Sequence, residues 1–333
     1  MELNKLLDYA IMQNEIAKNP DVKSGYKINE NTYSNYLENE CFEKFVDDMK
    51  QNHKLAYKMY GEGSGNELEI RKGRGSVLYP PKMASFGSSS RMIYNLMKDV
   101  DGFLFEKQLS TTVGGTANLD GFMETESKYV FVEAKCREPY SAKINEYEWK
   151  YEDLYKYITQ SPKTKLECEI TGDKENDKKM KVKFKVSNEV IEHFDIKQMI
   201  CHLLGVATAF LKGEFDIKNI EFIYLLFNPK LIEIEDEKAK SKIHKIYTQT
   251  CNECNLVDFK KLFEVIIEFL KIECRIDENV FTEDLVSRFN FNLCDQTYKP
   301  NVRIDEAEMK KRLLERETEF CMLIDDEKLS YCS

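Results

Sequence analysis

Residues 119–135 read LDGFMETESKYVFVEAK, and this stretch decides how the chain is expected to fold. Both ends of the stretch have strand character, and the polar letters ETES between them predict a turn. In an antiparallel hairpin the numbers of paired residues have a constant sum, so a turn centred on ETES places Asp120 opposite Glu133. Glu133 and Lys135 are two residues apart and project from one face of their strand. The sequence therefore predicts that two carboxylates and a lysine meet at one spot.

The second strand of this hairpin, YVFVEAKC, is apolar on both faces until its charged end, which is typical of a central strand covered on both sides. Facing carboxylates repel each other unless a cation lies between them, and hard oxygen ligands suit Mg²⁺, with Mn²⁺ as a substitute. A divalent ion polarises a phosphoryl oxygen and lowers the pKa of bound water, and a nearby ammonium group can orient the nucleophile. This combination points to phosphodiester hydrolysis.

The flanking sequence predicts an α/β core around the hairpin. Apolar residues at helical spacing predict two or three helices within residues 1–60, and the region after residue 230 is expected to be mainly helical and acidic. The remaining predicted elements are a helix at 90–99 capped by the preceding serines, strands near 103–110, 118–125 and 128–136, a helix from 144 to 158 followed by a hairpin, an apolar helix at 196–211 and a buried strand at 221–227.

Asp120 followed by Glu133-Ala134-Lys135, after one helix and one strand, resembles the PD-(D/E)xK nuclease superfamily, the restriction-endonuclease-like fold. The run from Glu133 to Pro139, E-x-K-x-x-E-P, is also similar to a group of bacterial proteins classed as restriction endonucleases. One departure is Leu119, which stands where the superfamily name has proline. The resemblance implies an αβββαβ core with a mixed central sheet and helical additions at both ends.

On this resemblance the chain divides into a helical N-terminal region with a basic loop at 1–87, a nuclease core at 88–230 with an insertion at 140–195, and a helical C-terminal region at 231–333. The resemblance also implies the roles of the site residues. Asp120 and Glu133 would bind the metal, Lys135 would orient or activate water, and Glu106 would bind a second metal or polarise water. Gln198 is expected as an accessory residue on the following helix.

Charge is unevenly distributed along the chain. The protein carries 49 Lys and Arg against 59 Asp and Glu, a net charge of -10, which argues against a surface that coats polyanions indiscriminately. Residues 71–98 nevertheless contain six basic residues and no acidic one. This window is either a solvated loop or a segment that contacts phosphates, and the contacts predicted from it are Arg71, Lys72, Arg74, Lys82 and Arg91.

The sequence thus favours a Mg²⁺-dependent endonuclease that acts on DNA, with duplex DNA as the expected partner and a homodimer as an assembly it allows. A catalytically silent DNA-binding or complex-forming module on the same fold, or a nuclease of repair or recombination, stays open as an alternative. Ten dispersed cysteines and an N-terminus without a signal pattern predict reduced thiols and a cytoplasmic location. The apolar runs are too short for a membrane span.

Overall fold

The computed structural model describes residues 2–62, 67–141, 146–274 and 282–297. The helices in this part of the chain are α1 (Leu3–Lys18), α2 (Asn39–Asn52), α3 (Lys54–Glu62), α4 (Ser89–Met97), α5 (Glu152–Gln160), α6 (Ile196–Leu211), α7 (Glu237–Leu256), α8 (Phe259–Cys274) and α9 (Thr282–Ser287). The strands are β1 (Ser24–Ile28), β2 (Asn31–Leu37), β3 (Arg71–Lys72), β4 (Leu78–Tyr79), β5 (Phe103–Ser110), β6 (Thr116–Glu124), β7 (Lys128–Lys135), β8 (Glu146–Tyr147), β9 (Leu166–Thr171), β10 (Met180–Val186), β11 (Glu189–Val190), β12 (Asn219–Leu226) and β13 (Phe289–Asp295).

A mixed five-stranded sheet forms the centre, in the order β13-β12-β7-β6-β5. Strands β5, β6 and β7 are a meander of antiparallel neighbours, whereas β12 and β13 run parallel to β7. The predicted α/β class and mixed central sheet are therefore confirmed. Strand β7 lies in the middle and is buried along its length after Lys128, as its doubly apolar sequence predicts.

Helices cover both faces of this sheet. One face packs against α6, with the insertion and α8 joined to the same apolar cluster, and the other face packs against α3, α4 and the N-terminal helices. Helix α6 approaches closely because Gly205 faces β5 and β6: a Cβ at this position would lie 2.7 Å from the Cβ of Ala117. Helices packed on both faces of the sheet thus fix the strand ends that carry the candidate site.

Several predicted elements are confirmed with small shifts in their bounds. Helix α4 begins after Ser88, whose side chain accepts a hydrogen bond from the Arg91 backbone N–H, and α6 spans the predicted residues. The two strands of the β6–β7 hairpin pair in the predicted register, in which the numbers of paired residues have a constant sum. Phe122 lies opposite Phe131, and Gly121 lies opposite Val132. The turn chemistry and the apolar patterns were sufficient for these elements.

Three predictions on secondary structure were wrong or incomplete. The N-terminal region contains the antiparallel β1–β2 hairpin as well as helices. The helix expected from residue 144 begins only at Glu152, because Tyr147 belongs to the short strand β8, which pairs with β10; residues 142–145 lie outside the described part. The C-terminal region contributes β13 to the central sheet, and residues 298–333 lie outside the described chain.

Within the described residues, no helix combines the length and the apolar character needed to cross a bilayer. The cysteines whose side chains are described are free thiols.

Candidate functional site

Three carboxylates predicted from the sequence occupy one level of three adjacent strands. In the β5–β6 ladder, Phe105 pairs with Gly121 and Lys107 with Leu119, so Glu106 lies opposite Asp120. The β6–β7 register in turn places Asp120 opposite Glu133. The antiparallel meander therefore converts residues 27 positions apart in sequence, from 106 to 133, into lateral neighbours.

The backbone is irregular at this level. Glu106 has a φ of 52°, in the left-handed region that a residue with a Cβ seldom adopts. Asp120 uses its carboxylate in place of a backbone acceptor, because its Oδ2 accepts a hydrogen bond of 2.7 Å from the Ala134 backbone N–H. Such local strain costs about 1–3 kcal/mol and is concentrated at functional sites. The sheet thus interrupts its ladder where the acidic side chains meet.

Glu133 lies at the centre of a buried polar cluster. Its side chain is only 1% exposed, its Oε1 accepts a hydrogen bond of 2.5 Å from the Lys135 Nζ, and the His202 Nε2 lies 2.9 Å from its Oε2. The Lys135 Nζ also donates to the Gln198 Oε1 at 2.6 Å. Burial raises the pKa of Glu133, but Lys135 and then His202 outweigh this effect and hold the pKa at about 2. Glu133 is therefore ionised at neutral pH.

The other two carboxyl groups show the opposite electrostatic behaviour. Burial, followed by repulsion from Glu133, raises the pKa of Asp120 well above its ordinary value. Burial, followed by repulsion from Glu67, raises the pKa of Glu106 to about 7. Both groups would gain from a cation at this level, because a positive charge favours their ionised forms.

Helix α6 supplies two side chains to the cluster. Asp195 caps the helix by accepting a hydrogen bond of 3.2 Å from the Gln198 backbone N–H, which fixes the first turn. Gln198 and His202 are four residues apart and so lie on the same helix face, toward β7. Gln198 reaches Lys135 as an accessory residue is expected to do. The sequence argument missed His202, although its spacing from Gln198 was a signal that could have identified it.

The donor chemistry of this level fits a divalent cation. Asp120, Glu133 and Glu106 provide carboxylate oxygens, and the buried Glu133 Oε2 has no aligned hydrogen-bond donor in the described structure. As the side chains stand, however, no group of three ligating residues converges among the described residues. Glu133 points to Lys135 and His202 instead. Within the described part of the chain, Asp120 and Glu106 form no salt bridge, and Glu133 would have to share its oxygens between Lys135 and a metal.

An open cleft of about 460 Å³ borders the cluster at the start of α6. Gln198 and His202 contribute to its wall from the helix, and Asn118 contributes from β6. The cleft is also lined by three basic and three acidic residues, namely Lys150, Lys179, Lys197, Glu146, Glu148 and Asp195. This cleft gives solvent access to the side of the cluster formed by α6.

The predicted phosphate contacts divide into exposed and buried groups. Lys72 is exposed on β3, whereas the neighbouring Arg71 is half-buried and its Nε donates to the Pro80 carbonyl oxygen at 3.0 Å. Lys82 forms a salt bridge of 2.6 Å with the buried Glu67. The side chain of Arg74 lies outside the described part of the structure.

Arg91 does not fit the prediction of a phosphate contact. Its guanidinium is buried, pairs with Glu15 of α1 and lies over the rings of Phe45 and Phe86. The sequence argument overlooked this because the pairing residue is 76 positions away. Arg91 instead ties α4 to the N-terminal helix.

Comparison of the chain with protein-family models, with curated proteins and with solved structures finds no significant match.

Proposed function

We propose that this protein is a Mg²⁺-dependent endonuclease that hydrolyses DNA phosphodiester bonds, of the restriction-endonuclease type. One observation carries the proposal: Glu106, Asp120 and Glu133 share one level of three adjacent strands, and Lys135 lies one pleat further on the same face as Glu133. The order of elements around them supports it: apart from the insertion between β7 and α6, the elements α4, β5, β6, β7, α6 and β12 run as helix, three strands, helix and strand.

Each residue has a role that its environment favours. Asp120 and Glu106 would hold the metal, because burial and neighbouring carboxylates raise their pKa values and a bound cation would favour the ionised form of both. Glu133 would complete the ligand set. When bound, Mg²⁺ would polarise a phosphoryl oxygen and lower the pKa of a coordinated water.

Lys135 is suited to orient the attacking water and to stabilise negative charge on the phosphoryl group. Its ammonium group is held at the end of β7 by Glu133 and by the Gln198 Oε1, and the neighbouring carboxylates raise its pKa above the ordinary value despite the opposing effect of burial. A lysine that stays protonated provides an electrostatic contribution rather than a general base. Gln198 is then a positioning residue for Lys135.

The decisive variant is Asp120→Asn. An amide oxygen can still accept the hydrogen bond from Ala134, so the sheet should be preserved while the charge is lost. We expect nicking of supercoiled plasmid in Mg²⁺ to fall by at least about 100-fold, the order of magnitude for a lost electrostatic group at a reacting centre. Asp173→Asn, in the exposed turn after β9, is the matched control and should cleave normally. Equal cleavage by wild type and Asp120→Asn would refute the proposed site.

A second candidate, a catalytically silent DNA-binding or complex-forming module, is favoured by one specific observation. The Glu133 carboxylate is already paired with Lys135 and lies close to His202 without a metal. Calorimetric titration with Mn²⁺ separates the two functions. Heat of binding that disappears in Asp120→Asn favours the nuclease, whereas DNA binding without metal binding or cleavage favours the silent module.

A further inference from the structure

A short two-stranded arm projects beside the proposed site. We define the arm as residues 70–79, which comprise β3, a tight turn and β4. Arg71 pairs with Tyr79 and Lys72 with Leu78, and the Gly73 backbone N–H donates to the Val77 carbonyl oxygen at 2.7 Å. A Cβ at Gly73 would lie 2.4 Å from the Tyr79 ring, so a larger residue here would have to displace this ring.

The arm exposes apolar side chains to an unusual extent. Among the residues that the structure describes, six large hydrophobic side chains are exposed, and three of them belong to the arm: Ile70 at 47%, Val77 at 46% and Tyr79 at 41%. Isolated exposed apolar residues are common on protein surfaces, but a cluster on one projecting hairpin indicates a binding surface.

The charge of the arm identifies the partner. Residues 71–79 contain Arg71, Lys72 and Arg74 and no acidic residue, in a protein whose net charge is -10. Lys72 is exposed beside these apolar side chains. Cations next to apolar groups suit a duplex, because the cations contact phosphates while the apolar groups contact sugars and base edges in the minor groove. A polyanion is thus the complementary partner for this segment of an otherwise acidic protein.

The base of the arm is anchored next to the carboxylate level. The Tyr33 hydroxyl of β2 donates to the Leu78 carbonyl oxygen, and Lys82 bridges to Glu67 at 2.6 Å across the two ends of the arm. Met83, next to Lys82, and Phe105, next to Glu106, belong to the same buried apolar cluster, and Glu67 and Lys82 are charged neighbours of Glu106. A duplex held by the arm would therefore lie beside Glu106 on β5.

We infer that the arm binds the backbone and minor groove of duplex DNA and so delivers the duplex to the carboxylates of β5, β6 and β7. The inference rests on the proposed function for the destination of the DNA, but binding by the arm can be measured without cleavage. An anionic lipid surface has related chemistry, and duplex DNA is favoured because the arm is anchored beside the carboxylates rather than on a separate face.

The test measures the affinity of the full-length protein for a short fluorescein-labelled duplex in EDTA over a series of salt concentrations. Removing two phosphate contacts with Lys72→Ala/Arg74→Ala should lower the slope of log affinity against log salt by roughly 2, and the affinity by roughly 50-fold at about 0.1 M salt, since each contact contributes a slope of about 0.9. Val77→Ser should lower the affinity about fivefold, as expected from burying the exposed half of a valine, without changing the slope.

Lys238→Ala/Lys242→Ala, which removes two exposed lysines from α7, is the matched control and should bind as the wild type does. Thermal melting should be unchanged in all three variants, since the side chains of Lys72, Val77, Lys238 and Lys242 are exposed. The inference is overturned if the arm variants bind the duplex as tightly as the control, if the wild type does not bind the duplex, or if the wild type binds phosphatidylserine vesicles in preference to DNA.

The outcomes also separate the arm from the nuclease proposal. Weakened binding by the arm variants together with no cleavage by the wild type would support the arm and contradict the nuclease. Cleavage by the wild type together with unchanged binding by the arm variants would contradict the arm alone.

Discussion

Lys135→Met tests whether the buried ion pair at the end of β7 is formed in the native protein. Methionine has nearly the length and volume of lysine, so the substitution removes the charge with little change in packing. The Lys135 side chain is 8% exposed and its Nζ lies 2.5 Å from the Glu133 Oε1. The variant leaves a buried carboxylate with His202 as its remaining neighbouring donor, and it leaves Gln198 without its ammonium partner.

The expected loss in the free energy of unfolding follows from two estimates. Removing one partner of a buried pair costs about 3–5 kcal/mol, because the other charge remains uncompensated. The second estimate uses the pKa of Glu133, which is about 2 in the folded protein against an ordinary 4.5. At about 1.4 kcal/mol per pH unit this difference corresponds to about 3 kcal/mol, shared between Lys135 and His202. We therefore expect a loss of about 3 kcal/mol in the free energy of unfolding.

The assay is urea unfolding followed by circular dichroism at neutral pH. Lys181→Met, on the exposed face of β10, is the control and should change the stability by less than about 0.5 kcal/mol. Glu133→Gln/Lys135→Met should recover most of the loss, because the double variant buries no unpaired charge. A loss below about 1 kcal/mol for Lys135→Met would refute the buried pair, because a buried carboxylate left without its partner should cost more than that.

Three further predictions follow from the surroundings of the site. Glu106→Gln should flatten the pH profile of stability measured in urea. Burial raises the pKa of Glu106 to about 7, so the contribution of this group to the free energy of unfolding is complete below pH 4.5 and is lost as the pH rises through about 7. Gly121→Ala should cost about 1–3 kcal/mol in thermal melts, because a Cβ there would lie 2.2 Å from the Phe103 ring. Arg91→Ala should cost about 2 kcal/mol by leaving Glu15 unpaired, yet leave the salt dependence of DNA binding unchanged.

The sequence was most informative where a property was local. The ETES turn fixes the register of β6 and β7, and once the register is fixed, the pairing of Asp120 with Glu133 follows from the two-residue period of strands. The serines before α4 and the apolar run of α6 likewise carry their own boundary signals. Each of these features depends on residues within a few positions of one another.

The remaining features depend on contacts between distant segments. The addition of β13 to the central sheet was not predictable, because pairing with β12 joins residues about 70 positions apart and a short apolar run gives no partner. In the sequence, Arg91 has the pattern of a surface cation. Its burial results only from the packing of α1 against α4. The sequence around Glu106 also contains no pattern that predicts its left-handed backbone conformation.

The sequence by itself thus determined that Asp120 lies opposite Glu133 and that Lys135 follows on the same face, because strand periodicity and turn chemistry act locally. Only the tertiary structure decided how these groups are charged. Lys135 of the same strand and His202 of α6 keep Glu133 ionised, whereas burial and repulsion from neighbouring carboxylates raise the pKa values of Asp120 and Glu106. Charge in a protein interior depends on what is packed against a side chain, and that packing is a property of the whole fold.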